Sequence, residues 1–249
     1  MTATARAFGV ARSLAMYYGI PFRARRLRRF YSRFVHAGAL CFDVGAHAGN
    51  RVRCFRKLGA RVVAIEPQPD FVRILRWLYG HDGGVEIVPQ AVGRGAGSAE
   101  LLISERTPTV TTLSQSWVDN VRREPGFANI EWTRRERVDV VTLQSLVERY
   151  GEPEFVKVDV EGFEAEVLAG LATPVRGLSF EYVPATRAIA LECIERLAAL
   201  AQYHYNWSVG ETHRLCSTHW LDAAGMRSLL SELPKGAPSG DVYAVREDA

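Results

Sequence analysis

Two short stretches hold residues that could do chemistry together. One is Cys41-Phe-Asp-Val-Gly-Ala-His-Ala-Gly-Asn50 and the other is Arg61-Val-Val-Ala-Ile-Glu-Pro67. The first reads as a buried strand, a glycine turn and a helix start, and the second as a buried strand ending in a carboxylate. Asp43 and Glu66 then sit at the carboxyl ends of two parallel strands, where open α/β sheets take nucleotide-like ligands. The spacing from Gly45 to Glu66 suits a ribose held by the carboxylate at the tip of the second strand. A pyrophosphate fits badly. Its fingerprint needs glycine where His47 and Asn50 stand, and Asp43 would repel a phosphate. No P-loop motif occurs. A ligand with an adenosine but no phosphate fits better, and S-adenosylmethionine is such a ligand. Its ribose would meet Glu66. Its amino acid end would meet Asp43 and the amides around Gly45, Ala46, His47, Gly49 and Asn50, with Pro67 beside the ribose.

A second set is Lys157-Val-Asp159-Val-Glu161-Gly162-Phe-Glu164. Strand alternation predicts Lys157, Asp159 and Glu161 on one face. Three charges in an otherwise apolar central strand are costly unless paired or functional. Methyl transfer is an in-line displacement that needs alignment first. A hydroxyl nucleophile also needs a base or a metal to remove its proton. Asp159 or Glu161 is the expected base, with Lys157 orienting the pair. Glu181, at the end of the next strand, could complete a three-carboxylate site with Asp159 and Glu161 for a divalent cation such as magnesium. The bland alternative is a buried Lys157–Glu161 ion pair, with Asp159 only hydrogen-bonding the donor's amino acid end.

Other polar residues have weaker claims. His47 either touches a ligand or serves as a spacer. His204, His213 and His219 read as surface or core histidines, and His36 and His81 as peripheral. Gln90 and Ala91 end a third strand and are placed for the adenine, unless Gln90 only closes its turn. Thr111, Thr112 and Ser114 either hydrogen-bond the ligands from a lid or belong to an edge strand.

The elements that must position these groups alternate between strand and helix, which predicts an α/β fold with a doubly wound, Rossmann-like sheet. Helices are expected over 5–18 and 22–37, then strand 40–44, helix 48–58, strand 61–65, a helix to 79 and strand 85–92. Residues 94–137 interrupt the alternation. The segment is polar but carries Trp117, Phe127 and Trp132, so it reads as a hairpin plus a lid rather than a disordered linker. Regularity returns with strand 137–142, helix 143–150, strand 155–160, a helix to 171, strand 178–183 and helix 188–201. Strands near 203–209 and 241–246 flank a helix over 220–233. Seven strands with the last antiparallel suit a methyltransferase-type sheet. The organisation expected is a basic helical arm over 1–38 and a methyltransferase domain over 39–249, with 94–137 as its insertion.

Asp43-Val-Gly-Ala-x-x-Gly49, Ile65-Glu-Pro67 and Val156-Lys-Val-Asp-Val-Glu-Gly-x-Glu164, with Val167-Leu168 and Gly170, resemble the FkbM-type methyltransferase family. The resemblance spans roughly residues 40 to 185. It implies S-adenosylmethionine-dependent O-methylation, commonly of sugars, glycolipids or polyketide-like metabolites. His47 stands where the family often has asparagine. Residues 94–137 and the C-terminal segment carry no family signature, so the resemblance does not extend to an acceptor.

The chain has 249 residues and is 47% hydrophobic, enough for one large domain. Cys41, Cys54, Cys193 and Cys216 lack metal-ligand spacing and read as reduced core residues of a cytoplasmic protein. No apolar run suits a membrane span, and no secretory signal is evident. Residues 1–42 carry eight arginines and no acid, leaving the rest mildly acidic. The arm Arg23-Ala-Arg-Arg-Leu-Arg-Arg-Phe-Tyr-Ser-Arg33 is then a solvated helix packed through Leu27, Phe30 and Phe34, or it contacts an anionic membrane surface or phosphorylated substrate. Nucleic acid ranks last, because the basic patch is expected to stop with the arm. The expected acceptor is a small molecule or glycan. Two alternatives stand beside it: an RNA 2′-O-methyltransferase, which would typically need a Lys-Asp-Lys-Glu set, and a module that binds S-adenosylmethionine without turnover.

Overall fold

A computed structural model describes residues 23–247 together with Gly9, Ala11 and Arg12. The expected helix over 5–18 lies outside the described residues apart from those three. Arg23–Tyr31 forms α1. Apolar residues at Leu27, Phe30 and Tyr31 give it one buried stripe, with arginines on the opposite side. Burying each such side chain is worth about 1.5–3 kcal/mol.

The strand–helix alternation follows: β1 (Leu40–Val44), α2 (Asn50–Lys57), β2 (Arg61–Ile65), α3 (Pro69–Tyr79) and β3 (Val85–Val88). After the insertion come α5 (Leu143–Tyr150), β7 (Phe155–Val158), α6 (Glu164–Ala169), β8 (Gly177–Tyr182), α7 (Ala188–Leu200), β9 (Tyr203–Val209), α8 (Ala223–Glu232) and β10 (Gly240–Arg246). The main sheet has seven strands in the order β3-β2-β1-β7-β8-β10-β9. Its pairings are parallel except those of β10, which runs antiparallel to both neighbours. The expected antiparallel last strand is therefore present, inserted between β8 and β9.

The chain leaves β1 toward one edge through β2 and β3, then returns to lay β7 against the other side of β1. This reversal opens a crevice at the carboxyl ends of β1 and β7. Both faces of the sheet are covered, so its strands read as continuous apolar runs. One face, with Cys41, Val62 and Phe155, packs under α1, α2 and α3 through Phe30, Phe55 and Leu75. The other, with Phe42, Val63 and Val156, packs under the later helices through Leu146, Leu168, Ile194 and Leu230.

The structure departs from the sequence expectation at several points; α1, for one, ends at Tyr31 rather than near residue 37. Residues 85–92 are not one strand: β3 stops at Val88, and β4 (Ala91–Val92) joins a separate three-stranded sheet with β5 (Gly97–Ile103) and β6 (Arg134–Val141). Cys216 is exposed, whereas the other three cysteines are buried. Positive charge does not stop with the arm, because exposed Arg53, Lys57, Arg73 and Arg76 carry it across α2 and α3. No helix among the described residues is long and apolar enough to cross a membrane.

Candidate active site

The turn after β1 is built for close approach. Gly45 has φ +83°, and a Cβ there would lie 1.9 Å from the Asp159 carbonyl oxygen. Only glycine lets β1 and the end of β7 meet this tightly. The Gly45 and Ala46 amides both donate to the Ile65 carbonyl, at 2.9 and 3.0 Å, which ties the turn to the tip of β2. Glu66 completes the tie. Its Oε2 accepts the His47 amide and its Oε1 the Gln68 amide, both at 2.8 Å. Each carboxylate oxygen keeps a second lone pair, the geometry a pair of vicinal hydroxyls requires. Burial pushes Glu66 up to about 7 against the pull of those two amides. Asp43 is also pushed up to about 7 by burial, despite Arg51 and Lys157 nearby. Its Oδ2 is buried with no hydrogen-bond partner among the described residues.

These groups open into one pocket. Asp43, Gly45, Ala46, His47, Asn50, Glu66 and Pro67 line it from the β1 and β2 side, and Gln90 and Ala91 from beyond β3. Asp159 and Glu161 line it from the β7 side. Gly49 does not reach it. Its φ is +79°, and a Cβ there would press on Tyr79 and Leu75, so it serves the packing of α2 on α3. The His47 ring packs on Phe71 with centroids 3.6 Å apart, and burial lowers its pKa to about 3. The ring is therefore neutral, and His47 lines the pocket while packing on Phe71.

The charged set on β7 is arranged differently from the simple alternation. The strand ends at Val158, and Glu161 has φ +55°, so Glu161 belongs to a turn. Lys157 points into the protein, 1% exposed, and does not pair with Glu161. Its Nζ lies 2.7 Å from Asp241 Oδ1 on β10 and 3.3 Å from Asp159 Oδ2. Burial alone would lower the ammonium's pKa, but Asp159 and Asp241 reverse this and keep it charged. Tyr243 donates to the other Asp241 oxygen at 3.2 Å. The outcome is a buried cation that props Asp159 from behind.

Asp159, Glu161 and Glu181 come together, with one carboxylate oxygen of each within 4.8 Å of the other two. Burial and the neighbouring carboxylates push Glu161 and Glu181 well above the usual range. Such a cluster holds shared protons or a hard cation, which takes oxygen ligands at about 2.0–2.6 Å. Glu164 fixes the turn, its Oε1 accepting the Val160 and Gly162 amides at 3.1 and 3.3 Å. The insertion covers it. Helix α4 (Gln115–Val121) lays Trp117 against Gly162, where a Cβ would meet the indole at 2.1 Å. Thr112 donates to the Glu161 carbonyl at 2.7 Å, and Thr111 to Gln68 at 3.0 Å. Both threonines line the pocket, while Ser114 instead accepts the Trp117 amide as the N-cap of α4.

Two pocket residues are invisible to motif reasoning. Arg51, in the first turn of α2, is 6% exposed and lines the pocket. It lies 3.5 Å from Glu211, which enters from the turn after β9. Burial alone would raise Glu211, but Arg51, His213 and Arg23 hold its carboxyl well below the usual range. The only sequence signal for Arg51 was its place two residues after the second glycine of the turn. His213 is buried and 3.1 Å from Glu211, while His36, His81 and His219 are exposed.

Residues 43–189 match the family model described as the methyltransferase FkbM domain. No curated protein matches the sequence. Among solved structures, the chain resembles a TehB-like SAM-dependent methyltransferase from Corynebacterium glutamicum, with TM-score 0.50 at 10% identity over 98% of this chain and 99% of that one. An O-methyltransferase from Bacillus cereus in complex with SAH gives TM-score 0.47 at 11% identity, covering 99% of this chain and 92% of that one. The first likeness is one of fold.

Proposed function

Because the chain belongs to the FkbM methyltransferase family, we propose that it moves the methyl group of S-adenosylmethionine to a hydroxyl on a sugar, glycolipid or polyketide-like metabolite. The observation that carries this reading is Glu66, buried at the tip of β2 with one amide on each oxygen and one lone pair left on each. That carboxylate suits the two ribose hydroxyls. Asp43, with its unpartnered Oδ2, suits the donor's ammonium. Arg51 supplies a buried guanidinium for its carboxylate. When bound, S-adenosylmethionine supplies a methyl group already activated by a sulfonium.

The protein's own part is then alignment and proton removal. Asp159 and Glu161 face the pocket from the β7 side. One of them would take the acceptor's hydroxyl proton as the oxygen displaces sulfur from the methyl carbon, the carbon–sulfur bond breaking and S-adenosylhomocysteine leaving, and Lys157 would position Asp159 through the 3.3 Å contact. The three-carboxylate set also suits magnesium in its donor chemistry. Asp159, Glu161 and Glu181 would hold the ion, which would make a hydroxyl more acidic. The RNA 2′-O-methyltransferase reading has less support, since Lys57 and Lys235 are exposed and line no part of the pocket. A binder without turnover would have no use for the charged turn after β7.

Calorimetric titration with S-adenosylhomocysteine tests the donor assignment. Micromolar binding is expected, weakened at least tenfold in Glu66→Ala, or about 1.4 kcal/mol. Absence of binding to the wild type would remove the proposal. Turnover of candidate acceptors with magnesium and with chelator then decides between proton transfer alone and a metal-assisted step.

A further inference from the structure

Residues 23–80 build α1, α2 and α3, the layer over one face of the sheet. They hold thirteen arginines and lysines and three acids, Asp43, Glu66 and Asp70. The three acids are 1%, 5% and 7% exposed. The outward charges that this layer's own residues carry are therefore all positive, and the carboxylates that reach it from elsewhere in the chain are Glu211, paired with Arg23, and Asp82, paired with Arg56. Arg25, Arg26, Arg28 and Arg29 point outward from α1, Lys57 from α2 and Arg76 from α3. The helices on the opposite face are mixed in charge, with Glu192 paired to Arg196 and Glu195 to Arg227. A second, independent feature falls on the basic face. Among the described residues, the exposed large apolar side chains are Trp77, at 79%, and Leu78, at 36%, adjacent on the last turn of α3. Leu75, two residues earlier, is fully buried, so Trp77 is not needed to seat the helix.

We propose that the α1–α2–α3 face docks on an anionic lipid bilayer, with the arginines and Lys57 at the headgroups and the Trp77 ring in the interfacial region. Charge complementarity selects the partner. An anionic leaflet attracts each nearby Lys or Arg, and tryptophan sits preferentially at the boundary between headgroups and acyl chains. A basic helical surface with an exposed aromatic is the form that lies on a membrane without spanning it. Nucleic acid would also meet the charge. However, single strands are held by a groove with successive aromatic platforms, and this helical layer offers one exposed ring. The proposal does not depend on the methyl acceptor.

The test is flotation of the full chain with vesicles of phosphatidylcholine alone and of phosphatidylcholine mixed with phosphatidylglycerol. Binding is expected only to the second, and it weakens as salt rises. Lys57→Gln with Arg76→Gln should lower partitioning about thirtyfold, from the worth of two basic residues at an anionic surface. Trp77→Ala should lower it about tenfold. All three positions are exposed, so melting temperature and S-adenosylhomocysteine binding should stay unchanged, which separates this result from the donor assignment. No binding to the anionic vesicles overturns the proposal, as does binding that these variants leave intact. Preferential capture of an RNA or DNA oligonucleotide, insensitive to Trp77→Ala, would assign the charge to nucleic acid instead. A dimer in light scattering that Trp77→Ala dissociates would assign the face to a second copy.

Discussion

Lowering the pH from about 8 to about 6 should weaken binding of 5′-methylthioadenosine by about tenfold, through the protonation of Glu66. Burial lifts this carboxyl from 4.5 to about 7. In the ligand-free protein the raised value favours the neutral acid. That contribution to stability is fully present below about 4.5 and is lost as pH rises through about 7. Ligand binding runs the other way, because two ribose hydroxyls are held best by the ionised form. The ionised fraction falls from about nine-tenths at pH 8 to about one-tenth at pH 6, which is tenfold in apparent affinity, or about 1.4 kcal/mol. Asp43 is held up in the same range, so the probe must lack the amino acid portion that Asp43 would meet. Calorimetric titration at several pH values gives the slope. Glu66→Gln should bind more weakly and lose the pH dependence. Its amide NH₂ would also face a backbone donor of His47 or Gln68, leaving a buried N–H unpaired at about 1–3 kcal/mol. A wild-type affinity that is flat across this range, or an unchanged slope in Glu66→Gln, would refute the assignment of the ribose to Glu66.

Other outcomes follow from the same geometry. Gly45→Ala should destabilise the fold by at least about 2 kcal/mol in a denaturant titration, because the new methyl meets the Asp159 carbonyl at a backbone angle unsuited to alanine. Asp241→Ala should cost about 3 kcal/mol, since it takes from buried Lys157 the closer of its two partners; thermal melts against the wild type would show it. Glu161→Gln and Asp159→Asn should lower kcat by about a hundredfold or more once an acceptor is in hand, and near-normal turnover in both would end the carboxylate-base assignment. Glu161→Gln should leave S-adenosylhomocysteine affinity within about twofold, because Glu66, Asp43 and Arg51 are untouched.

The first two strands and the turn between β1 and α2 were legible because parallel strands buried on both faces write unbroken apolar runs, and glycine marks where the backbone leaves them. The strand–helix order was legible for the same reason, as was the place of Asp43 and Glu66 at strand tips. Alternation misled beyond Val158, where the backbone turns through a left-handed residue at Glu161 and strand geometry no longer applies. The break between Val88 and Ala91 was hidden because the two pieces are equally apolar, and only their pairing partners distinguish them. Asp241, Glu211 and Arg51 were missed for a shared reason. Each acts through a contact distant in sequence, 84 residues for Lys157 with Asp241 and 160 for Arg51 with Glu211. Local spacing carries no trace of such pairs. The continuous basic face was obscured because charge summed over the whole body mixes two helical layers of different character.

The position of β10 bears on how the protein is made. Synthesis proceeds from the N-terminus, and β8 and β9 emerge well before the strand that joins them. Until residues 240–246 leave the ribosome, β8 has an unpaired edge and β9 has no place in the sheet. Lys157 then lacks Asp241, so the prop beneath Asp159 is incomplete. A nascent chain can assemble the Glu66-bearing tip of β2 early, yet the seven-stranded sheet and the charged centre close together only once β10 has emerged. Open edges of this kind invite pairing with other chains. Shielding of the partly built sheet during translation should therefore govern how much protein is recovered.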